Sequence, residues 1–474
     1  MNDILTGGLP SGQMYLLEGD PGTGKTTLAM QFIMAGIRLG ERALYVTLSE
    51  PTSELQASAL SHGWNLEHLP IAEFVPTEAG LHSSEQYTVF HPSEVELVST
   101  IAKITDEVDR ERPKRVVIDS LSELRLLAAD VMRYRRQLLA LKQFFVSRDT
   151  TVLLLDDRSS EGNDLQLQSI AHGVLRLENV QRSFGVTRRH LEIIKLRGSA
   201  YREGFHDYTI RRGGLMVYPR LIAAEHEIDF EDERMKSGVE DLDQMLDGGI
   251  SRGTTTLLTG PSGVGKSTLT MQFAVAAAER GERAMIYAFD ETVRNAMSRA
   301  ASLGIGMAEQ RERGMLDIVQ IDPAELSPGE FIWRIRSDVR ERETRVVVID
   351  SLNGFLNSMP GELDLILHLH ELLAFLNQNG VITFLVLSQQ GLVGSIQAGI
   401  DVSYLADAII VLRYFEARGE IRQVLSILKQ RIGAHERTLR ELTFDEAGVH
   451  LGAPLTSFRG VLTGVPDLSE APSE

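Results

Sequence analysis

The sequence predicts an α/β fold that occurs twice in one chain. Short apolar segments alternate with stretches of helical character, as in a parallel sheet covered by helices on both faces. The same succession then recurs about half a chain later, where a glycine-rich segment beginning at Gly260 matches one beginning at Gly19. A chain of 474 residues is also too long for one typical domain.

The elements of the first repeat follow from its apolar pattern. A strand at "YLLEG" leads into the glycine-rich loop, and a helix over "TTLAMQFIMAGIRLG" stops at Gly40. A second strand, "ALYVTL", precedes a helix that begins near Thr52, and "RVVID" and "TVLLLDD" are further buried strands. These short apolar strands between helices predict a mostly parallel sheet flanked by helices in each repeat.

Four matched segments in the same order indicate a duplication. The segment "ILTGGLPSG" matches "MLDGGISRG", "LGERALYVTLSE" matches "RGERAMIYAFDE", "RVVIDSL" matches "VVVIDSL", and "LEIIKLRG" matches "LSILKQRI". We therefore predict two homologous domains, at residues 1–220 and 237–460, joined by an acidic linker at 221–236. The polar, acidic end at 461–474 is expected to be a disordered tail.

The composition is that of an ordinary globular protein, with 43% hydrophobic and 24% charged residues. The longest apolar runs, such as "VITFLVL", have the length of buried strands rather than of membrane spans, and the N-terminus has no basic start or apolar signal core. The absence of cysteine excludes disulfides and thiolate zinc sites. We expect a cytoplasmic protein without a membrane contact.

Both glycine-rich loops fit the pattern G-x-x-x-x-G-K-[ST], and each lies between a strand and a helix. In this pattern backbone N–H groups surround the phosphates of a nucleotide, the lysine reaches the β/γ oxygens, and the hydroxyl ligates Mg²⁺. The residues expected to bind ATP are Gly19, Asp20, Pro21, Gly22, Thr23, Gly24, Lys25, Thr26 and Thr27 in the first repeat, and Gly260, Pro261, Ser262, Gly263, Val264, Gly265, Lys266, Ser267 and Thr268 in the second.

Carboxylates at strand ends supply the remaining chemistry of each repeat. Asp119 and Asp350 each end an apolar strand, where an acid holds the Mg²⁺ shell together with Thr26 and Ser267; the alternative is a helix N-cap. Candidate general bases at the neighbouring strand ends are Glu50 in the first repeat, and Asp290 and Glu291 in the second. N-capping of the following helix is again the alternative.

Together these motifs resemble the KaiC family of ATPases, within the RecA-like class. The resemblance covers nearly the whole chain and includes "VVIDSLSEL", "IIKLRG" and "ILKQRIGAHE". It implies two tandem RecA-like P-loop NTPase domains and a homohexamer of double rings, with ATP between subunits. It also implies that two Lys-x-Arg pairs reach the ATP of the adjacent subunit: Lys195 with Arg197, and Lys429 with Arg431. The alternative for these cations is a solvated strand edge.

Two departures from the family pattern bear on function. Family members that keep time carry Glu-Glu at this strand end in both repeats, whereas the first repeat here has Ser49 before Glu50, which suggests slower hydrolysis there. The autophosphorylated Ser-Thr pair of the clock protein falls on Ser403 and Tyr404. A two-site phosphorylation cycle is therefore not expected, and Ser403 is a candidate single phosphorylation site.

The predicted function is that of a Mg²⁺- and ATP-dependent signalling ATPase, self-phosphorylating at Ser403, that exchanges partners such as a KaiB-like small protein or a sensor kinase. A DNA-dependent RecA-like motor of the recombinase or helicase kind is the alternative, and the net charge of −18 argues against nucleic-acid binding. A third class is a scaffold that binds ATP without turnover. The retained acids and Lys-x-Arg pairs argue against that class.

Overall fold

The chain divides into two compact units, Met1–Arg220 and Leu221–Glu474. A computed structural model describes residues 1–75, 92–128, 130–158, 165–180, 185–357, 365–389, 402–417, 419–456, 458–459 and 467–468. Each unit is described separately below.

The first unit is built on a nine-stranded sheet in the order β3-β2-β4-β5-β1-β6-β7-β8-β9. Its strands are β1 (Met14–Gly19), β2 (Ala43–Thr47), β3 (Ile71–Glu73), β4 (Arg115–Asp119), β5 (Thr151–Asp157), β6 (Gly173–Val180), β7 (Arg188–Leu196), β8 (Phe205–Arg211) and β9 (Gly214–Tyr218). Its helices are α1 (Lys25–Arg38), α2 (Thr52–Ser61), α3 (Pro92–Glu111), α4 (Leu121–Leu127), α5 (Val131–Val146) and α6 (Leu165–Ile170). The first six strands in this spatial order, β3 through β6, pair in parallel. Strands β7, β8 and β9 then extend the sheet by antiparallel pairing.

The second unit repeats this sheet in the order β14-β13-β15-β16-β12-β17-β18-β19-β20. Its strands are β10 (Arg234–Met235), β11 (Ile250–Ser251), β12 (Thr255–Gly260), β13 (Arg283–Ala288), β14 (Leu316–Gln320), β15 (Thr344–Asp350), β16 (Ile382–Ser388), β17 (Ala408–Ala417), β18 (Glu420–Gln430), β19 (Arg440–Asp445), β20 (Gly448–Pro454), β21 (Phe458–Arg459) and β22 (Asp467–Leu468). Its helices are α7 (Glu240–Met245), α8 (Lys266–Glu279), α9 (Val293–Ser302), α10 (Met307–Glu312), α11 (Pro328–Glu341), α12 (Leu352–Asn357) and α13 (Leu365–Gln378). Short 3₁₀ turns lie at Ala223–Glu225 and Ser403–Leu405.

The two sheets confirm the predicted fold class and the duplication. Each strand of the first sheet has a counterpart at the same place in the second, so that β1 corresponds to β12, β5 to β16 and β7 to β18. The segments "RVVID" and "TVLLLDD" coincide with β4 and β5, and α2 begins at Thr52 as predicted. The strands that form the parallel part lie mostly buried, which explains their continuous apolar runs.

Helices cover both faces of each sheet and create two cores per unit. In the first unit α1 packs Leu28 and Ile33 against one face, whereas α5 packs Leu138 and Leu141 against the other. In the second unit α8, α9 and α10 cover one face, and α11, α12 and α13 cover the other. The central strands are therefore held from both sides, which fixes the loops at their ends.

The segment 221–236, expected as a linker, packs within the second unit. The backbone N–H of Ala223 donates to Glu371 Oε2 at 3.2 Å, and Asn379 Nδ2 donates to the carbonyl of His226 at 3.0 Å. The ring of Phe230 lies against Gly253 and Gly380 so closely that neither position has room for a Cβ. Most of the expected tail, 461–474, lies outside the described residues; only Asp467–Leu468 is described, paired with Phe458–Arg459.

Among the residues that the structure describes, no helix is long and apolar enough to span a bilayer.

Candidate active sites

The two glycine-rich loops depend on backbone geometry that favours glycine. Gly22 and Gly24 have φ of 80° and 94°, and Gly263 and Gly265 have φ of 80° and 98°. All four angles lie in the left-handed region that side chains with a Cβ rarely adopt. Gly24 and Gly265 are also the N-caps of α1 and α8, so each loop passes directly into a helix N-terminus, as anion binding requires.

Strand β8 packs against the first loop through Tyr208 and Ile210. The hydroxyl of the buried Tyr208 donates to the carbonyl of Thr23 at 2.6 Å. A Cβ at Gly24 would lie 2.6 Å from Ile210 Cδ1, on the same strand. The antiparallel extension of the sheet therefore supports the loop that the sequence identified, although the sequence did not indicate this support.

Lys25 lies folded against its own loop. Its Nζ donates to the carbonyl of Gly19 at 2.7 Å and to that of Asp20 at 3.2 Å. It also forms an ion pair of 2.7 Å with Asp157, the last residue of β5. Asp157 is paired in register with Gly19, so β5 places this carboxylate beside the residue at which the loop begins.

Lys266 makes the equivalent backbone contacts in the second unit. Its Nζ donates to the carbonyls of Gly260 at 2.9 Å and Pro261 at 2.7 Å. The residue in register with Gly260 is Ser388, so the carboxylate of Asp157 has no equivalent at this position. Burial lowers the pKa of Lys266 to about 8, and the negative charge of Asp350 opposes this shift.

Thr26 and Asp119 lie together, as predicted for a shared Mg²⁺ shell. Thr26 Oγ1 donates to Asp119 Oδ2 at 3.0 Å, and the hydroxyl of Tyr45 donates to the same oxygen at 2.7 Å. Burial raises the pKa of Asp119, while the hydrogen bonds from Tyr45 and Thr26 and the charge of Lys25 lower it. The side chain is 6% exposed, which places the carboxylate inside the site rather than on the surface.

Ser267 and Asp350 form the corresponding pair in the second unit. Burial raises the pKa of Asp350, and the hydrogen bond from Ser267 together with the charge of Arg299 lowers it. The residue in the position of Tyr45 is Ile286, so this carboxylate lacks the tyrosine hydrogen bond. A hydroxyl beside a carboxylate is a suitable donor set for Mg²⁺, which completes its shell with water and phosphate oxygens.

Within the described part of the chain, no group of three or more His, Asp or Glu side chains could hold a metal ion on its own.

Glu50 follows β2 at the edge of the first site. Its backbone N–H and carbonyl are tied to Thr47 Oγ1 at 3.1 and 2.6 Å. The pKa of Glu50 is raised by burial, and the neighbouring charges of Asp119 and Glu54 raise it further. Among the described residues no cation pairs with its carboxylate, so a proton acceptor of raised basicity faces the metal-binding acid.

The two candidate bases of the second unit are both engaged by neighbours. Arg299, on α9, donates to Glu291 Oε1 and Oε2 at 2.8 Å each, a bidentate pair. The hydroxyl of Ser351 donates to Asp290 Oδ2. The residue in the position of Arg299 in the first unit is Ser58, eight residues after Glu50 as Arg299 is eight after Glu291.

The Lys-x-Arg pairs lie apart from the loops of their own units. Lys195 is in register with Val174, which is paired with Leu16, so it lies at the end of the sheet where β1 begins rather than where it meets the loop. Its Nζ donates to the carbonyl of Gln168, and Arg197 donates to that of Ser169 at 3.1 Å. Burial and the charge of Arg197 lower the pKa of Lys195.

In the second unit the corresponding pair holds the turn that carries Ser403. Lys429 Nζ donates to the carbonyls of Ser403 at 3.2 Å and Ala406 at 2.7 Å. Arg431 donates to the carbonyl of Tyr404 at 3.1 Å and pairs with Asp407 at 3.0 Å. The candidate phosphorylation site is therefore in direct backbone contact with the candidate trans cations.

The sequence patterns did not indicate the contacts of three residues that define these sites: Tyr45, Asp157 and Arg299. Tyr45 belongs to the apolar segment "ALYVTL", where an aromatic residue indicates only a buried strand. Asp157 ends the segment "TVLLLDD", and its pairing with the loop lysine depends on β5 lying beside β1. Arg299 lies on a helix face, and the only signal in the sequence was its absence from the first repeat.

The fold and these sites define a class: tandem P-loop ATPases with RecA-like units. A family model described as the KaiC ATPase matches the chain twice, at residues 1–222 and 235–455. The chain therefore belongs to the KaiC family, and it is an ATPase of that family.

Similar proteins match this chain over nearly its whole length. Circadian clock protein KaiC3 of Synechocystis sp. is 28% identical over 97% of this chain and 92% of its own. Circadian clock oscillator protein KaiC is 29% identical in Thermostichus vulcanus, over 98% of this chain and 90% of its own. The protein of the same name from Prochlorococcus marinus is 26% identical over 98% and 93%.

Proposed function

We propose that this chain is a Mg²⁺-dependent signalling ATPase that assembles into a ring, hydrolyses ATP in both units and phosphorylates itself at Ser403. The observation that carries the proposal is the repetition of one constellation: a P-loop lysine, a hydroxyl beside a buried aspartate, and a carboxylate at the next strand end. The Mg²⁺ would be held by Thr26 and Asp119 in one unit, and by Ser267 and Asp350 in the other. It would neutralise charge on the phosphates.

The protein residues divide the work of phosphoryl transfer. Lys25 and Lys266 bind the β/γ oxygens, and the backbone N–H groups of the loops orient the phosphates. A water molecule attacks the γ-phosphorus, its bond to phosphorus forms as the bond to the ADP oxygen breaks, and its proton passes to the strand-end carboxylate. In the first unit that carboxylate is Glu50, whose pKa is raised by burial, which makes it a better proton acceptor.

The position of the Lys-x-Arg pairs supports assembly. Because Lys195 lies level with the first half of β1 and contacts the carbonyl of Gln168, it is turned away from its own loop. Cations that serve the γ-phosphate from this place would serve a neighbouring chain in a head-to-tail ring. We propose a homohexamer on this basis, together with the family resemblance.

Ser403 is proposed as a phosphate acceptor because of its neighbours. If Lys429 and Arg431 reach the γ-phosphate of an adjacent chain, the turn that they contact is brought to the same phosphate. The Ser403 hydroxyl then replaces water as the nucleophile and yields a phosphoserine and ADP. Its proton passes to Asp290 of the adjacent chain.

Exchange of protein partners, such as a KaiB-like small protein or a sensor kinase, would follow the nucleotide and phosphorylation state. The cysteine-free composition supports a cytoplasmic location, and the net charge of −18 supports a role without nucleic acid.

The experiment that tests this proposal follows γ-labelled ATP into protein and into free phosphate over the same hours. We expect both products, with the protein label lost in Ser403→Ala and in Lys266→Ala. The matched control Ser302→Ala removes an exposed hydroxyl elsewhere in the second unit and should keep the label. Label only in free phosphate would overturn the autokinase part, and label in neither product would overturn the whole proposal.

A further inference from the structure

The two units differ most in the surroundings of the candidate base. In the first unit Glu50 lies beside two acids, Asp119 and Glu54, and burial raises its pKa. In the second unit Glu291 accepts two hydrogen bonds from one guanidinium, and the residues of this pair are 24% and 33% exposed. The difference follows from a single substitution on corresponding helices, Ser58 on α2 and Arg299 on α9.

The arginine is held in place by the helix and by its own packing. Ala296 and Ala300 bury the inner face of α9, as Leu55 and Ala59 bury that of α2, so the helices present residues 299 and 58 in the same way. Arg299 also lies 3.6 Å from the sulfur of Met271 on α8, the helix that follows the second loop. The guanidinium is therefore fixed between the loop helix and the base.

A carboxylate held in this pair is not free to turn towards an attacking water molecule. Both oxygens already accept charge-assisted hydrogen bonds, which are about twice as strong as neutral ones, so the carboxylate must give up at least one of them to contact another partner. The arginine thus holds the candidate base in a fixed position.

We infer that Arg299 is a positioning residue that restrains ATP hydrolysis in the second unit by holding Glu291 in a bidentate ion pair. The inference rests on the proposed function and deepens it. Slow hydrolysis keeps the γ-phosphate available for transfer to Ser403, so the restraint favours the kinase over the ATPase. It reverses the order of the two repeats that the sequence alone suggests, in which the first repeat is the slower.

The test uses the full chain with Glu50→Gln, which silences the first unit and leaves its loop intact. In this background Arg299→Ser is expected to raise kcat for phosphate release about five- to tenfold, with KM within about twofold because the loop is unchanged. Arg299→Lys keeps the charge but cannot form the bidentate pair and should give an intermediate rate. The matched control is Arg294→Ser, an exposed arginine of the same helix, which should leave the rate unchanged.

Three outcomes decide between the alternatives. A rise that is abolished by adding Glu291→Gln supports the inference. A fall or no change in kcat in a variant that binds ATP normally overturns it, because Arg299 would then orient an active base or play no part. If the unmodified chain releases no phosphate at all, it is the proposed function that fails. Phosphate release by the unmodified chain therefore distinguishes this failure from a failure of the inference about Arg299.

Discussion

At the residue scale, the proposed binding of nucleotide by Lys25 requires it to leave its ion pair with Asp157. The ion pair of 2.7 Å must be broken or weakened when Lys25 turns to the phosphates, and it lies in a partly buried place where screening is reduced. In a chain with Lys266→Ala, Asp157→Ser should therefore tighten binding of a fluorescent ATP analogue about threefold to tenfold. Asp109→Asn removes an equal charge from an exposed pair with Arg148 and serves as the control. Weaker binding in the Asp157 variant would show that this acid helps to hold nucleotide.

Tyr45 adjusts the acidity of Asp119 by one hydrogen bond. Donation to Oδ2 stabilises the ionised carboxylate and lowers its pKa, so Tyr45→Phe should raise that pKa. Since the ionised form is needed to hold Mg²⁺, the acid limb of the pH–rate profile should move upward by about one pH unit. The measurement is phosphate release against pH in an Arg431→Ala, Lys266→Ala background, where only the first unit turns over. An unchanged acid limb would contradict this role.

The buried Lys266 should make ATP binding in the second unit sensitive to alkaline pH. Its pKa of about 8 lies below the usual value, and the charged form is the one that binds phosphate. Below pH 8 the lysine is protonated and affinity is retained, whereas above pH 8 binding must be coupled to proton uptake. Between pH 7 and pH 9 the Kd measured in a Lys25→Ala chain should rise about tenfold. A Kd that stays constant over this range would contradict the assignment.

At the scale of elements, the strand-to-helix loop depends on glycine at the N-cap of α1. Gly24→Ala places a Cβ at φ 94° and 2.6 Å from Ile210, so nucleotide binding in the first unit should fall more than about tenfold. Gly40 offers a matched control because its φ is 77° and a Cβ there meets nothing within 4 Å. Gly40→Ala should cost about 1–2 kcal/mol of stability, because alanine is disfavoured in the left-handed conformation, and should leave binding intact. An equal loss of nucleotide binding in both variants would show that backbone strain at any such glycine lowers binding, and would contradict a specific role of Gly24.

The sequence predicted the parallel part of each sheet because its strands are short, apolar and flanked by helices. It also placed the first loop between a strand and a helix and Asp119 at a strand end, since a fixed spacing and a strand end are local features. The pairing of Lys25 with Asp157 could not be predicted, because it depends on β5 lying next to β1, which local sequence does not specify. The ion pair between Arg299 and Glu291 could not be predicted for a related reason. The two residues are eight positions apart in the sequence, and they meet only because of the way α9 is oriented.

At the scale of the whole molecule, duplication has preserved the binding constellation and altered the groups around it. Both units keep the loop, the lysine, and the hydroxyl beside the aspartate. They differ at Tyr45, Asp157 and Arg299, each of which has a different residue at its counterpart. Under the proposed function we expect these differences to give each unit its own affinity for ATP and its own rate of hydrolysis.

If each Lys-x-Arg pair completes the site of a neighbouring chain, as proposed, two inactive variants should restore activity when they are mixed. One variant carries alanine at Lys195, Arg197, Lys429 and Arg431. The other carries Glu50→Gln, Asp290→Asn and Glu291→Gln, which keep the loops able to bind ATP. A one-to-one mixture should regain about a quarter of the unmodified turnover, because about a quarter of head-to-tail contacts then combine intact acids with intact cations. Turnover that stays at the sum of the two separate variants would show that the cations do not act on a neighbouring chain.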